Sequence, residues 1–251
     1  MNASNLSAAP DISIVVPAYN KESCISITLK EIIRVVSSTK YSFEIIVIDD
    51  FSSDKTLLEI EKISAPELKI LRNFKNFGKG FSIRRGIQFC SAKKFIGYVD
   101  ADLDIEPDAL LLAISCLEQH KDIEICIGSK FHSSSVVRVS KLRRIQSRGF
   151  ATLFRFLFRL EILDSQSGLK LGRANSLRFL TSRVSTRGFA FDVELLFLAH
   201  KCGLLMKEIP IKLRGNYLTT INLTSSVRSI LDLFVIRFRL SRLKTPRQNS
   251  L

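Results

Sequence analysis

Short runs of β-branched and other apolar residues alternate along this chain with longer stretches of helical spacing. "ISIVVPAYN" (12–20), "FEIIVIDD" (43–50), "LKILRN" (68–73), "FIGYVD" (95–100) and "IEICIGS" (123–129) read as five strands. Their Val and Ile residues run on without strict polar alternation, the pattern of strands covered on both faces. The intervening stretches 23–37, 53–63, 80–92 and 107–119 read as helices, with Pro107 suited to a first helical position. Strand–helix alternation predicts an α/β fold with a mainly parallel sheet. Ligands of such sheets sit beyond the carboxyl ends of the strands.

Polar residues collect at those ends: Tyr19 and Asn20 after the first run, Asp49 and Asp50 after the second, Asp100 and Asp102 after the fourth. Turn capping accounts for any one of these clusters taken alone. Three on successive strand ends point to one shared crevice. In "YVDADLD", Asp100, Asp102 and Asp104 occupy alternate positions. In extended backbone such residues face the same side, so three carboxylates repel unless a cation lies among them. Asp104 is either a third ligand of that cation or an acid favoured at the start of the next helix.

Taken together, "IVVPAYN", "IIVIDDFSSDKT", "NFGKGFSIRRG" and "YVDADLD" resemble, in order and spacing, the family 2 glycosyltransferases of the GT-A fold. Downstream, "DSQSGLKL" (164–171) and "FAFDVELLFLAHKCGLLMKEIPI" (189–211) are similar to the polyprenyl-phosphate sugar transferases, the dolichyl-phosphate glucosyltransferases first and the mannosyltransferases next. The resemblance covers about residues 11 to 240. It implies a Rossmann-like, mainly parallel sheet flanked by helices, and transfer of glucose or mannose from UDP-glucose or GDP-mannose to a polyprenyl phosphate with inversion. Asp100-Ala101-Asp102 matches the family's D-x-D motif, which implies Mg²⁺ or Mn²⁺ held by Asp100 and Asp102, with Asp104 as the possible third ligand. Hard divalent cations take oxygen ligands and commonly bridge carboxylates to substrate phosphates.

Further residue roles follow from the same resemblance. Pro17, Ala18, Tyr19 and Asn20 form the nucleotide-side lip, and Asp49 or Asp50 accepts hydrogen bonds from the base. Many relatives carry Glu directly after the Asn, where this chain has Lys21 and then Glu22, and many carry Gly where Phe51 stands. Lys79 and Arg84 are placed near the donor; "NFGKG" lacks the spacing of a P-loop. Lys130, Gln166 and Lys170 belong to the acceptor side, the lysines as phosphate contacts, with Asp164, Ser167 and Gly168 in the loop around it. Asp192 and Glu194 are polar within an apolar helix pattern. Asp192 joins Asp100 and Asp102 in the candidate catalytic set, as a site-shaping residue or as a base. A lipid phosphate is already ionised and needs no base, whereas the rival acceptor, a saccharide in polysaccharide synthesis, requires one.

The composition narrows the remaining choices. The 251 residues are 46% hydrophobic, enough for one sizeable core, expected over 11–215 between a flexible start (1–10) and a flexible tail (245–251). A net charge of +14 calls for an anionic partner, whether phosphorylated substrate, anionic membrane or nucleic acid. No nucleic-acid-binding module is recognisable, so that last partner is set aside. Cys24, Cys90, Cys116, Cys126 and Cys202 form no C-x-x-C pair, and His120, His132 and His200 no ligand spacing; packed or solvated side chains account for all of them. There is no signal-peptide pattern and no apolar run of 18 residues. "KLRRIQSRGFATLFRFLFRL" (141–160) mixes arginines with Phe and Leu. In 216–244, Val227, Ile230, Leu231, Phe234, Val235 and Phe238 fall on one helix face, with Arg228, Arg239 and Arg242 largely off it. These stretches are either helices packed on the core or interfacial helices at anionic head groups. The second reading places the chain peripherally on the cytoplasmic side of a membrane.

Overall fold

The structure, a computed structural model, describes residues 9–137, 149, 151–152, 155–188, 190–214 and 235–239. The five expected strands are present as β1 (Ile12–Ala18), β2 (Phe43–Asp49), β3 (Leu68–Arg72), β4 (Phe95–Val99) and β5 (Ile123–Ser129). The expected helices are α1 (Ile25–Ser37), α2 (Thr56–Glu61), α3 (Lys79–Phe89) and α4 (Ala109–Gln119). Pro107 stands two residues before α4, in the turn that leads into it, and not at its first position. Downstream lie β6 (Leu169–Arg173), α5 (Ala174–Thr181), α6 (Phe191–Lys201) and β7 (Leu205–Pro210).

The seven strands form one sheet in the order β3-β2-β1-β4-β6-β5-β7. Only β6 runs against its neighbours, antiparallel to both β4 and β5. Continuous apolar runs are required because both faces of the sheet are covered. Ile12, Ile14, Val16, Ile45 and Val47 pack on one face with α1, α2 and α4, while Val15, Ile46 and Ile48 pack on the other with α3, α5 and α6. Alternate residues of a strand point to opposite faces, so each strand feeds two cores.

Strand order reverses at β1, whose neighbours β2 and β4 follow it in opposite directions across the sheet. That is the switch point at which such sheets open a ligand crevice. Pro17 helps to open it. β1 pairs with β4 only from Ile12 to Val15, so Pro17, which has no N–H, lies beyond the last β4 pair. The reversed β6 brings its amino end to the same edge. Val99 pairs with Leu169, and the Asp100 N–H donates to Gly168 O at 2.9 Å, so the loop before β6 lies beside the D-x-D motif.

Most of 138–154, 215–234 and 240–251 lies outside the described residues, and with it most of the two basic flanks. In the described part of the second, Ile236 is 2% exposed and packs with Phe158, Val193 and Phe197. Val235 and Phe238, on the expected apolar face, are 62% and 60% exposed. Arg239 pairs with the buried Glu194. These two members of the apolar face are turned outward here. Among the described residues no helix is long and apolar enough to cross a membrane.

Candidate active site

Four charged side chains meet at the centre of the crevice. Asp100, just past β4, lies with Oδ1 2.7 Å and Oδ2 2.9 Å from Lys79 Nζ, at the first position of α3. Lys79 also approaches Asp192 Oδ2, at 3.6 Å, from the first turn of α6. Asp192 Oδ1 accepts from Lys170 Nζ at 2.7 Å and from the Tyr98 hydroxyl at 2.5 Å. Lys170 is fully buried and gives a further hydrogen bond to Ser167 O at 2.9 Å. Burial alone would raise the Asp192 carboxyl, yet the Lys170 and Lys79 ammonium groups hold it below the usual carboxylate range. Burial pushes Asp100 up, and the nearby Lys79 only partly offsets this. Lys79 itself is held above its ordinary value: Asp100 and Asp192 more than reverse the penalty of burial.

Glycines let these groups approach. Gly78 has φ +92°, a left-handed conformation that few other residues adopt. A Cβ on Gly168 would lie 2.5 Å from Asp100 Oδ2, so the absence of a side chain there is what lets the carboxylate take its position.

Beside this cluster is a cleft of about 140 Å³. It is lined by Lys130, Gln166 and Ser167, by the carboxylates Asp100, Asp104 and Asp164, and by the apolar Val99, Ile105, Ile211 and Leu213. Lys130 Nζ is held 2.8 Å from Asp164 Oδ1, whose other oxygen accepts the Lys130 N–H at 2.9 Å. Ser167 Oγ is buried with no hydrogen-bond partner.

The sequence profile of Glycosyl transferase family 2 matches residues 13–180. The chain belongs to this family. It is 32% identical to a dolichyl-phosphate beta-glucosyltransferase of Dictyostelium discoideum, over 91% of this chain and 74% of that protein. The proteins of the same description from Drosophila melanogaster and Homo sapiens are 30% and 29% identical, over 80% and 82% of this chain and 66% and 68% of their own lengths. Glucosyl-3-phosphoglycerate synthase of Mycobacterium tuberculosis, crystallised with UDP, superposes with a TM-score of 0.70 at 18% identity, over 91% of this chain and 80% of that one. A second structure of that enzyme, with Mn²⁺, UDP-glucose and phosphoglyceric acid, gives 0.69 at 17% identity over the same shares. These two establish the shared fold.

Within this family 2 glycosyltransferase, several of the expected site residues are engaged by other groups of the chain. Lys170 offers no donor to the cleft: its ammonium is enclosed as the counter-ion of Asp192. Asp192 is no free base, because Lys170, Tyr98 and Lys79 surround it. Glu194 is occupied too, accepting the Ser185 and Thr186 N–H groups and pairing with Arg239. Asp49 and Asp50 are buried and bonded within the chain. Asp49 takes the Ser52 N–H at 3.1 Å and faces Arg72 Nε at 3.0 Å. Asp50 takes Asn73 Nδ2 and the Phe77 and Gly78 N–H groups, and so shapes the "NFGKG" turn. Arg84 donates to Val184 O at 2.6 Å, which ties α3 to the segment before α6.

The Asp100-Asp102-Asp104 alternation is not preserved. The strand ends at Val99, residues 101–102 form a turn, and Leu103 has φ +56°. Among the described residues no group of three or more His, Cys, Asp or Glu side chains is arranged to hold a metal ion. Asp104 is not at the start of α4 either; it lines the cleft.

Asn20, at φ +50°, stitches the tips of β1 and β2: its N–H donates to Ser52 Oγ at 3.0 Å and its Oδ1 accepts the Ser53 N–H at 2.9 Å. Glu22 Oε2 accepts the Lys55 N–H at 2.9 Å in the same seam. Ala18 and Ala101 are buried. Sequence reasoning missed Tyr98 and Lys21, the latter 3.4 Å from Asp102 Oδ2. A tyrosine inside an otherwise apolar central strand was the available sign of the first. Nothing local signals the second.

Proposed function

We propose that this enzyme transfers glucose from UDP-glucose to a dolichyl-type polyprenyl phosphate, with Mg²⁺ or Mn²⁺ at Asp100 and Asp102. The observation that carries this reading is the cleft beside Asp100, whose lining combines polar and apolar side chains. A phosphate end suits Lys130, Gln166 and the unpartnered Ser167 hydroxyl, and the adjoining hydrocarbon suits Ile105, Ile211 and Leu213. The glucosyltransferase relatives support the sugar and the lipid, and the UDP-glucose complex of the structural neighbour is consistent with the donor.

The metal fits the residues present. Asp100 Oδ1 is buried with no hydrogen-bond partner apart from the Lys79 ammonium at 2.7 Å, and Asp102 is partly exposed. Two hard carboxylates with substrate phosphates completing the shell is the usual way Mg²⁺ is held. When bound, such a cation neutralises charge developing on the leaving diphosphate. Lys79 adds a cation on the same side. Lys130 holds the acceptor phosphate for attack on the anomeric carbon. No carboxylate is required to remove a proton, and Asp192 and Glu194, both engaged, supply none. This argues against a saccharide acceptor, which needs a base.

The test is a comparison of acceptors. Dolichyl phosphate is expected to accept glucose, whereas dolichol and a free saccharide are not. Lys130→Met should raise KM for the lipid phosphate about tenfold or more, the scale of losing a charge-assisted hydrogen bond, and leave KM for the donor unchanged. Transfer to dolichol or to sugar at a comparable rate sinks the reading.

The acceptor is a lipid, so the chain must reach a membrane. We place it peripherally on an anionic, cytoplasmic-side surface, through the outward-facing Phe156, Val235 and Phe238 and the net charge of +14. Co-sedimentation with vesicles containing anionic lipid at low salt, lost at high salt, is the expected result. Equal recovery with neutral vesicles contradicts it.

A further inference from the structure

Lys130 is held in the cleft by a neighbour that is itself held from elsewhere. The Asp164 side chain is 3% exposed, and both its oxygens are spent on Lys130: Oδ1 on the ammonium at 2.8 Å, Oδ2 on the backbone N–H at 2.9 Å. A lysine ammonium rides on a flexible four-carbon stem, so a fixed carboxylate is what gives it one place. An ammonium has three donors, and one bond to Asp164 leaves the others for a ligand.

No helix or strand fixes Asp164. It belongs to the loop 163–168 before β6, from which Asp164, Gln166 and Ser167 line the cleft. The far end of this loop is pinned, since Gly168 O accepts the Asp100 N–H at 2.9 Å and Leu169 pairs with Val99. The near end is pinned by Glu208. One oxygen of that side chain, Oε1, accepts the Leu163 N–H at 3.1 Å and the Asp164 N–H at 2.8 Å. Glu208 lies on β7, the last strand of the sheet, opposite Ile127 of β5. A glutamate on an edge strand is ordinarily a solvated charge that blunts the edge. Here it is half-buried and supplies the hydrogen-bond partners that an irregular loop lacks.

We infer that Glu208 is a positioning residue for the acceptor phosphate: it holds the 163–164 backbone, which fixes Asp164, which fixes the ammonium of Lys130. The inference rests on the acceptor reading proposed above. Glu208 is not among the residues that line the cleft, so its effect on the reaction passes through the loop. The donor side is carried by α3 and the end of β4, away from this relay.

The experiment is steady-state transfer from UDP-glucose to dolichyl phosphate with each substrate varied in turn. It compares the full chain with Glu208→Met, Glu208→Gln, Lys130→Met and the Glu208→Met/Lys130→Met pair, with hydrogen exchange of the 163–164 amides alongside. Glu208→Met keeps the length of the side chain and removes the acceptor. It is expected to raise the acceptor KM about three- to tenfold, the scale of one or two lost hydrogen bonds, to leave the donor KM unchanged and to speed exchange at 163–164. Glu208→Gln keeps an oxygen acceptor and should stay within about twofold of the parent. In the Lys130→Met background, Glu208→Met should add less than about twofold, because the group it positions is already gone. A parent-like acceptor KM in Glu208→Met overturns the inference. So do an equal rise in the donor KM, a Gln variant as impaired as the Met variant, and a fully additive loss in the pair. Should Glu208→Met fail to fold, Asp164→Asn tests the same relay: a raised acceptor KM alone is expected, and an unchanged one overturns it. An acceptor KM that Lys130→Met leaves unchanged removes the acceptor reading itself, and the relay with it.

Discussion

Replacing Lys170 by methionine is expected to destabilise the fold by about 3–5 kcal/mol, the usual cost of removing one partner of a buried ion pair. Lys170 has no exposed surface, and its ammonium is bonded to Asp192 and to Ser167 O. Without it, the Asp192 carboxylate stays buried with the Tyr98 hydroxyl at 2.5 Å and the Lys79 ammonium at 3.6 Å. Lys79 is then drawn between Asp100 and Asp192, so activity falls together with stability. Replacing both partners, Lys170→Met with Asp192→Leu, should recover part of the stability, because an apolar pair leaves no unpaired charge. The urea midpoints of the single and double variants measure this. A phosphate-binding lysine would behave differently: Lys170→Met would then raise the acceptor KM and leave the midpoint in place.

Asp102→Ala is expected to have the complementary profile. Loss of a metal-holding carboxylate should lower the transfer rate about 10³-fold, several kcal/mol of transition-state stabilisation. The fold should hardly notice. The Asp102 side chain is 31% exposed, and its ion pair with Lys21 is 3.4 Å long. Exposed pairs of this kind contribute at most about 1 kcal/mol. Asp100→Ala should lower both quantities, since it also leaves the buried Lys79 with a more distant counter-ion. Comparing kcat/KM with melting temperature for the two variants separates the roles. Full activity in Asp102→Ala would remove the metal site from the account.

Much of this architecture was legible in the sequence because β1, β2 and β4 carry apolar runs such as Ile14–Val16, Ile45–Ile48 and Phe95–Val99, which a sheet covered on both faces requires. The convergence of Asn20, Asp50 and Asp100 on one edge followed from parallel topology alone. β6 was hidden because "LKLGR" has only two apolar side chains and a glycine, where β3, "LKILR", with the same lysine and arginine positions, has three apolar side chains. A lysine within a central strand makes sense only once its counter-ion is known, and Asp192 lies 22 residues further along the chain. The strand-end aspartates were located correctly, but their partners depend on the turn at 73–78, which no local pattern fixes. The alternating carboxylates after β4 failed for a backbone reason: the turn at 101–102 and the left-handed Leu103 cancel the period of two. The Glu194–Arg239 pair was out of reach for the same reason as Lys170, a distant partner in sequence.

The most direct test of the central claim is a transfer assay with the full chain, radiolabelled UDP-glucose and dolichyl phosphate in detergent, with Mg²⁺ or Mn²⁺ and then with excess chelator. The account predicts label in the lipid phase that disappears when the metal is withdrawn. Release of UDP with no label in the lipid, or lipid labelling that the chelator leaves untouched, would contradict it.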